Sequence, residues 1–252
     1  MLLTEIPKLI ICKKIYNLSK KKQAFNSIHT NSKNIKKSSI LVIQESKKFK
    51  KKYIIEAIKN GAVALLTDKY ILDISIAQFI VKDVVFSNTI LLNKLKPNKP
   101  LNSIAITGTN GKTSVVWYLS QILFYNNISS KTFGTLGYYI NLKKIHDSNL
   151  TTPEYNILKQ SAFTKQNNKY NFIFEASSHS IDQNRLKDFP IDVAAITNIT
   201  QDHLDYHKTF KNYKKTKLKL FNKFLNEKGY SIFNDKIKGI NNIRKNKLKK
   251  NK

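Results

Sequence analysis

Gly108-Thr109-Asn110-Gly111-Lys112-Thr113-Ser114 sets two glycines, a lysine and a pair of hydroxyls in the order a phosphate-binding loop needs. Glycines let backbone N–H groups close round phosphate oxygens. The Lys112 ammonium supplies a point charge for β and γ groups, and the Thr113 hydroxyl suits Mg²⁺. The longer Walker pattern carries a glycine at position 106; Ile106 stands there, so the loop is the shorter G-x-x-G-K-T variant.

Glu175 closes the apolar run NFIFE and is followed by ASSHS. A carboxylate leaving the carboxyl end of a buried parallel strand enters the crevice where such sheets bind ligands, in reach of the magnesium that accompanies a triphosphate. Downstream comes Asp202-His203-Leu204-Asp205-Tyr206-His207. His203 and His207 have the spacing of a zinc pair on a helix but lack the Glu-x-x-His context and a third ligand, so zinc is not expected. Lys217 shares a helix face with Phe210, Tyr213 and Phe221 and is expected half-buried, with a depressed pKa or a modification.

These residues need elements to hold them. SIAIT (Ser103–Thr107) reads as the strand before the loop and Lys112–Tyr125 as the helix after it. Asn171–Ala176 and Val193–Ile199 are continuous apolar runs of strand length, as in parallel strands covered on both faces. A further helix is expected over Thr209–Leu225. Upstream, Ile40–Ile43 and Ala62–Thr67 read as strands on either side of a helix at Tyr53–Asn60 that stops at Gly61. KPNKP, Lys96–Pro100, has the composition of a linker.

The expected organisation is therefore α/β throughout. A small α/β domain over residues 1–98 precedes a doubly wound, mostly parallel P-loop domain over 99–235, with a basic, disordered tail over 236–252. The P-loop domain is expected to be incomplete at its C-terminal end.

The net charge of +29 invites a nucleic-acid reading. The charge is spread along the chain instead of gathered into an arm or stripe. Among 45 basic residues only Arg185 and Arg244 are arginines, and glycine is limited to seven, which is the mark of a codon bias toward A and T. No nucleic-acid partner is expected. Cys12 is the single cysteine, so no internal disulfide forms. The longest apolar stretches fall short of the ~18 residues that span a bilayer. MLLTEIPKLIICKKI is too interrupted for a secretory signal, so the chain reads as cytoplasmic with no membrane partner.

TGTNGKTS, Thr151-Thr152-Pro153-Glu154, EASSHSIDQNRL and NITQDHLDYHKTFKNYKKTKLKLF follow one another in the order of the signatures of the Mur ligase family. The resemblance extends from about residue 28 to about residue 235 and is greatest to the branch that adds the third residue of the peptidoglycan stem. It implies an ATP-dependent amide-bond ligase that joins an amino acid to UDP-N-acetylmuramoyl-L-alanyl-D-glutamate through an acyl phosphate, in cell wall biosynthesis. By that resemblance Gly108, Thr109, Asn110, Gly111, Lys112, Thr113 and Ser114 bind ATP, with Lys112 on the transferred phosphate. Thr113, Glu175, His203 and Lys217 hold Mg²⁺, Lys217 after capturing CO₂ as a carbamate; Lys112, His203 and Lys217 are the catalytic set. Thr151, Thr152, Ser177, Gln183 and Arg185 hold the UDP-muramoyl peptide, and Ser32, within HTNSKNI, its uridine end.

Two features depart from the family pattern. The third domain, which takes the incoming amino acid, lies beyond these motifs, so either a separate C-terminal ligase fragment supplies it or the chain is a non-catalytic remnant. QESKKFKKKYII stands where the family has glycines and Asp-Gly near the uridine pocket. The third amino acid, diaminopimelate or lysine, is not legible. Folylpolyglutamate synthetase shares the loop but lacks the TTPE and SSHS-x-x-Q-x-R segments, and is the nearest rival.

Overall fold

The computed structural model describes residues 1–19, 21–44, 50–167, 169–233 and Ile237. The chain divides into two compact units. One is Met1–Asn98 with Phe163–Gln166; the other is Lys99–Ala162 and resumes at Asn167.

In the first unit a short helix α1 (Ile6–Leu9) is followed by β1 (Cys12–Tyr16), β2 (Ser27–His29), β3 (Ser39–Ile43), α2 (Lys51–Lys59), β4 (Ala62–Thr67), β5 (Ala77–Val81) and α3 (Val84–Leu95). The sheet order is β1-β5-β4-β3-β2, with β1 antiparallel to β5 and the other pairs parallel. β3 and β5 are buried along their whole length. Helix α2 sets Ile54 and Ala57 against Leu41, Ile43 and Leu65. It stops where Gly61 turns to φ +102°; a Cβ there would sit 2.7 Å from the Lys37 Cα, so this stop requires glycine. The strand–helix–strand core lies where the apolar runs placed it. β1, β2, β5 and α3 complete the layer. CKKIY gives no alternation that marks β1 as a strand; its pairing with β5 supplies what its side chains do not.

The second unit contains β6 (Asn102–Thr107), α4 (Lys112–Tyr125), β7 (Ser130–Gly134), β8 (Gly137–Ile140), β9 (Lys143–His146), α5 (Tyr155–Ala162), β10 (Asn171–Glu175), α6 (Ser178–Asp182), β11 (Ile191–Ile196), α7 (Leu204–His207), α8 (Phe210–Lys219) and β12 (Leu225–Phe233). The sheet runs β12-β11-β6-β10-β7-β8-β9. Its first five strands are mutually parallel, and β8 and β9 fold back antiparallel. Helix α4 packs Val116 on Ile106 and Ile173, covering the middle of the sheet.

This order positions the chemistry. β6 lies between β10 and β11, so the chain leaves β6 for a non-adjacent strand, and a crevice opens at the carboxyl ends. Register pairs Glu175 with Ile106 and Ile196 with Thr107, which brings the ends of β10 and β11 to the start of the glycine loop.

Three expectations need correction. The strand expected at Val193–Ile199 begins at Ile191 and ends at Ile196, because Thr197 and Asn198 turn their polar groups to the loop. The helix expected to Leu225 is regular only to Lys219; a π-helical turn, Leu220–Phe224, follows, and Leu225 already belongs to β12. Leu220, Phe221 and Phe224 are buried in that turn. The strand expected near GYSIFND starts earlier, at Leu225. The expectation for residues 236–252 lies, Ile237 apart, outside the described residues, as does most of QESKKFKKKYII before Lys50. Among the described residues no helix is long and apolar enough to cross a membrane.

Candidate functional site

The glycine loop is wrapped round its own backbone. Gly108 holds φ +147° and Gly111 φ +81°, where Gly111 caps α4. A side chain at Gly108 would collide with the Thr197 hydroxyl. From the other flank Thr197 Oγ1 donates to the Asn110 carbonyl at 2.6 Å, and Asn198 both donates to that carbonyl (3.1 Å) and accepts from the Asn110 N–H (3.1 Å). Lys112 Nζ folds back to donate to the carbonyls of Gly108 (2.9 Å) and Thr109 (2.8 Å). Burial lowers the Lys112 pKa, against the pull of Glu175 and Asp202. Ser114 is exposed on the first turn of α4.

Glu175 is 1% exposed. Its carboxylate accepts from Thr113 Oγ1 at 3.0 Å to both oxygens, from the Thr135 N–H at 2.7 Å and from Thr135 Oγ1 at 3.3 Å. A Cβ at Gly134 would strike this carboxylate, so glycine there lets β7 close on it. A buried carboxylate and a hydroxyl side by side at a phosphate loop form a hard oxygen set that fits Mg²⁺. Among the described residues no three His, Cys, Asp or Glu side chains converge on a common metal position, so the fit rests on this mixed pair.

His203 caps α7 from the left-handed region, φ +50°. That conformation is strained for a residue with a Cβ. Asp202 holds it, accepting from the His203 N–H at 2.8 Å and lying 3.4 Å from Nε2. The His203 ring lies 6.2 Å from the Tyr213 ring. Lys217, expected half-buried, is 1% exposed: Tyr213 and the loop close over it, with Nζ 4.8 Å from the Tyr213 ring and donating to the Gly108 carbonyl at 2.7 Å. Burial pushes its pKa down to about 7, Lys112 adds to the fall, and Asp202 opposes it.

A second cluster adjoins Glu175. Thr152 Oγ1 donates to the Glu175 carbonyl at 2.6 Å and accepts from the Ser177 N–H at 2.9 Å. Thr151 Oγ1 lies 3.4 Å from Thr135 Oγ1. Arg185 is held by Gln183 Oε1, at 2.9 Å from Nε and 2.6 Å from Nη2, and by the Thr152 carbonyl at 2.9 Å. The fork expected to face a ligand is thus engaged by its neighbours. Gln183 lies at the edge of Tyr206, 3.5 Å from its hydroxyl.

The structure therefore brings together the loop, Glu175, Lys217 and the Thr151–Arg185 cluster, with His203 beside Tyr213. Ser32 belongs to the first unit, 4% exposed, its hydroxyl donating to Glu56 at 2.7 Å. Thr135, Thr197, Asn198 and the Tyr213 hydroxyl join the site without having been singled out for it. Asn198 opens NITQDHLDYH and Thr197 directly precedes it, so position just before the acidic-histidine segment was the available signal; Thr135 carried none.

Residues 106–252 match the Mur ligase middle domain. A UDP-N-acetylmuramoyl-L-alanyl-D-glutamate--2,6-diaminopimelate ligase of Rickettsia bellii (strain RML369-C) is 37% identical over 196 residues, 76% of this chain and 41% of that protein. A solved structure of a UDP-N-acetylmuramoyl-L-alanyl-D-glutamate--2,6-diaminopimelate ligase superposes with a TM-score of 0.66 at 25% identity, covering 97% of this chain and 49% of that one. The fold is also that of a MurF ligase from Thermotoga maritima in complex with ADP, with a TM-score of 0.62, 21% identity, and 91% and 49% of the two chains covered. The chain spans between two fifths and half the length of these proteins. With a family domain matched over more than half its residues, on a P-loop α/β fold, the chain belongs to the Mur ligase family.

Proposed function

We propose that this chain provides the nucleotide-sugar and ATP sites of a ligase that joins diaminopimelate to UDP-N-acetylmuramoyl-L-alanyl-D-glutamate in the cytoplasm. The observation that carries the reading is the Thr113–Glu175 pair at the glycine loop, 3.0 Å apart, with Lys217 buried against the same loop. The relatives' names supply the substrates.

In this reading Gly108 to Ser114 cradle the ATP phosphates through backbone N–H groups. Lys112 leaves the Gly108 and Thr109 carbonyls and takes the transferred phosphate. Thr113 and Glu175, with His203, would hold Mg²⁺, and the Lys217 carbamate would serve a second ion; the metal would supply charge neutralisation at the phosphoryl oxygens. Lys217 reaches that role by reaction with CO₂: the neutral amine forms an N–C bond as one C=O π bond opens to the carboxylate and one N–H proton leaves, so that, counted from the ammonium, two protons are released and a cation becomes an anion. Its pKa near 7 leaves much of the amine unprotonated at neutral pH.

Thr151, Thr152, Ser177, Gln183 and Arg185 hold the muramoyl peptide so that its terminal carboxylate attacks the γ-phosphorus and ADP departs. The incoming amine then attacks the acyl carbon of the acyl phosphate, and phosphate leaves with an amide bond formed. Side chains orient and neutralise; no side chain acts as a nucleophile. Ser32 serves the uridine end. The part of the relatives that this chain does not span binds the incoming amino acid.

Trapping with hydroxylamine tests the reading. The chain is given Mg·ATP and UDP-N-acetylmuramoyl-L-alanyl-D-glutamate, alone and with the remaining half of the R. bellii relative added as a separate polypeptide. The expected result is peptide-dependent ADP release and a hydroxamate, both lost in Lys112→Ala. No peptide-dependent ADP in either mixture would overturn it.

A further inference from the structure

Tyr213, on α8, is 0% exposed, yet both parts of its side chain meet the glycine loop or its partners. Its hydroxyl lies 3.1 Å from Thr109 Oγ1. That threonine oxygen also accepts from the Thr200 N–H at 3.0 Å and lies 3.1 Å from the Thr200 carbonyl. A hydroxyl has one proton and two lone pairs. The Thr200 carbonyl only accepts, so the Thr109 proton goes there, and the Thr200 N–H takes one lone pair. The remaining lone pair meets Tyr213, which must be the donor. With this assignment every group in the cluster is satisfied. The Thr109 N–H, meanwhile, donates to the Asn198 carbonyl at 3.0 Å, so the same threonine is fastened on two sides to the segment that leads to His203. One turn further along α8, the Lys217 ammonium lies over the Tyr213 ring.

We propose that Tyr213 is a positioning residue: its hydroxyl locks Thr109 to the Thr200 turn, so that the phosphate loop and the His203 segment keep their shape before any nucleotide arrives. It touches neither phosphate nor metal and acts through Thr109. The consequence for affinity rests on the nucleotide reading above; the tether itself does not. A loop already in its bound shape loses less freedom when its ligand binds.

Tyr213→Phe keeps the ring and its cover and removes only the proton donor. Hydrogen exchange of the ligand-free chain should then quicken about fivefold at Thr109–Gly111 and Thr200–Asp202, the effect of one lost hydrogen bond, while β6, β10 and α4 exchange as before. Affinity for Mg·ADP should fall about five- to tenfold by calorimetry. Thr109→Val removes this bond together with both bonds to Thr200 and should have the larger effect, and the double variant should be no worse than Thr109→Val alone, because the Tyr213 bond is already gone there. Should Tyr213→Phe fail to fold, the Tyr213 hydroxyl proton of the unsubstituted chain decides: its resonance should exchange slowly with solvent, be kept in Thr109→Ser and be lost in Thr109→Val, and a fast-exchanging Tyr213 hydroxyl in the unsubstituted chain would overturn the proposal. Unchanged exchange at the loop in Tyr213→Phe, or additive losses in the double variant, would overturn the proposal. Absence of Mg·ADP binding by the unsubstituted chain would count against the nucleotide reading alone, and the exchange measurement would still settle the tether.

Discussion

Lys217 and Gly108, 109 residues apart, meet through a 2.7 Å hydrogen bond from the lysine ammonium to the glycine carbonyl. Lys112 donates to the same carbonyl at 2.9 Å, so one oxygen draws two cations into the start of the loop. Burial disfavours charge on both, and the Lys112 ammonium further disfavours it on Lys217. Turning one of them into an anion relieves that conflict.

That relief predicts a carbamate. With ¹³C-labelled bicarbonate at about pH 8, above the value near 7 to which burial and Lys112 bring the Lys217 amine, the chain should show a single carbamate carbonyl resonance. Lys217→Arg, whose guanidinium stays protonated, should not. No resonance in the unsubstituted chain would contradict the assignment of Lys217 as a carbamate.

Gly108 tests how closely β11 closes on the loop. Alanine there must adopt φ +147° and collide with Thr197 Oγ1. Gly108→Ala should cost roughly 1–3 kcal/mol in denaturant unfolding of the second unit. Adding Thr197→Ala should return part of the loss by making room. An unchanged midpoint would show that the loop shifts freely.

Acid should act on the first unit through His29. Both its ring nitrogens are buried without a hydrogen-bond partner among the described residues, and burial, helped by Lys36, pushes its pKa down to about 4 from the usual 6.5. The folded state resists the proton that the unfolded chain takes up first. The stability that a neutral His29 gives is therefore complete above pH 6.5 and is lost as pH falls from there through about 4, by at most about 3 kcal/mol. His29→Phe should flatten this loss when urea unfolding is compared at about pH 7 and about pH 4.5. Equal acid sensitivity in the two chains would contradict it.

Much of this arrangement is legible in the residues because it depends on local signals. The loop's glycines, the apolar runs before Thr107 and Glu175, and the α4 pattern are all short-range, and strand ends in a parallel sheet dictate where loops gather. What is not legible is set by distant contacts. Lys217 reads as half-buried from the helix face it shares with Tyr213, but its full burial comes with the glycine loop, where it meets the Gly108 carbonyl 109 residues away. Arg185 reads as a free fork, and only the fold shows Gln183 and the Thr152 carbonyl holding it. Thr135 reaches Glu175 because β7 pairs with β10, a choice of neighbour that no local pattern contains.

The most direct measurement of the central claim is calorimetric titration of Mg·ATP analogue into the chain in bicarbonate buffer. The account predicts one binding site per chain, no binding in Lys112→Ala, and loss of most of the magnesium dependence in Glu175→Gln, where the carboxylate beside Thr113 is neutral but the shape is kept. No heat from the unsubstituted chain, or full magnesium dependence in Glu175→Gln, would contradict it.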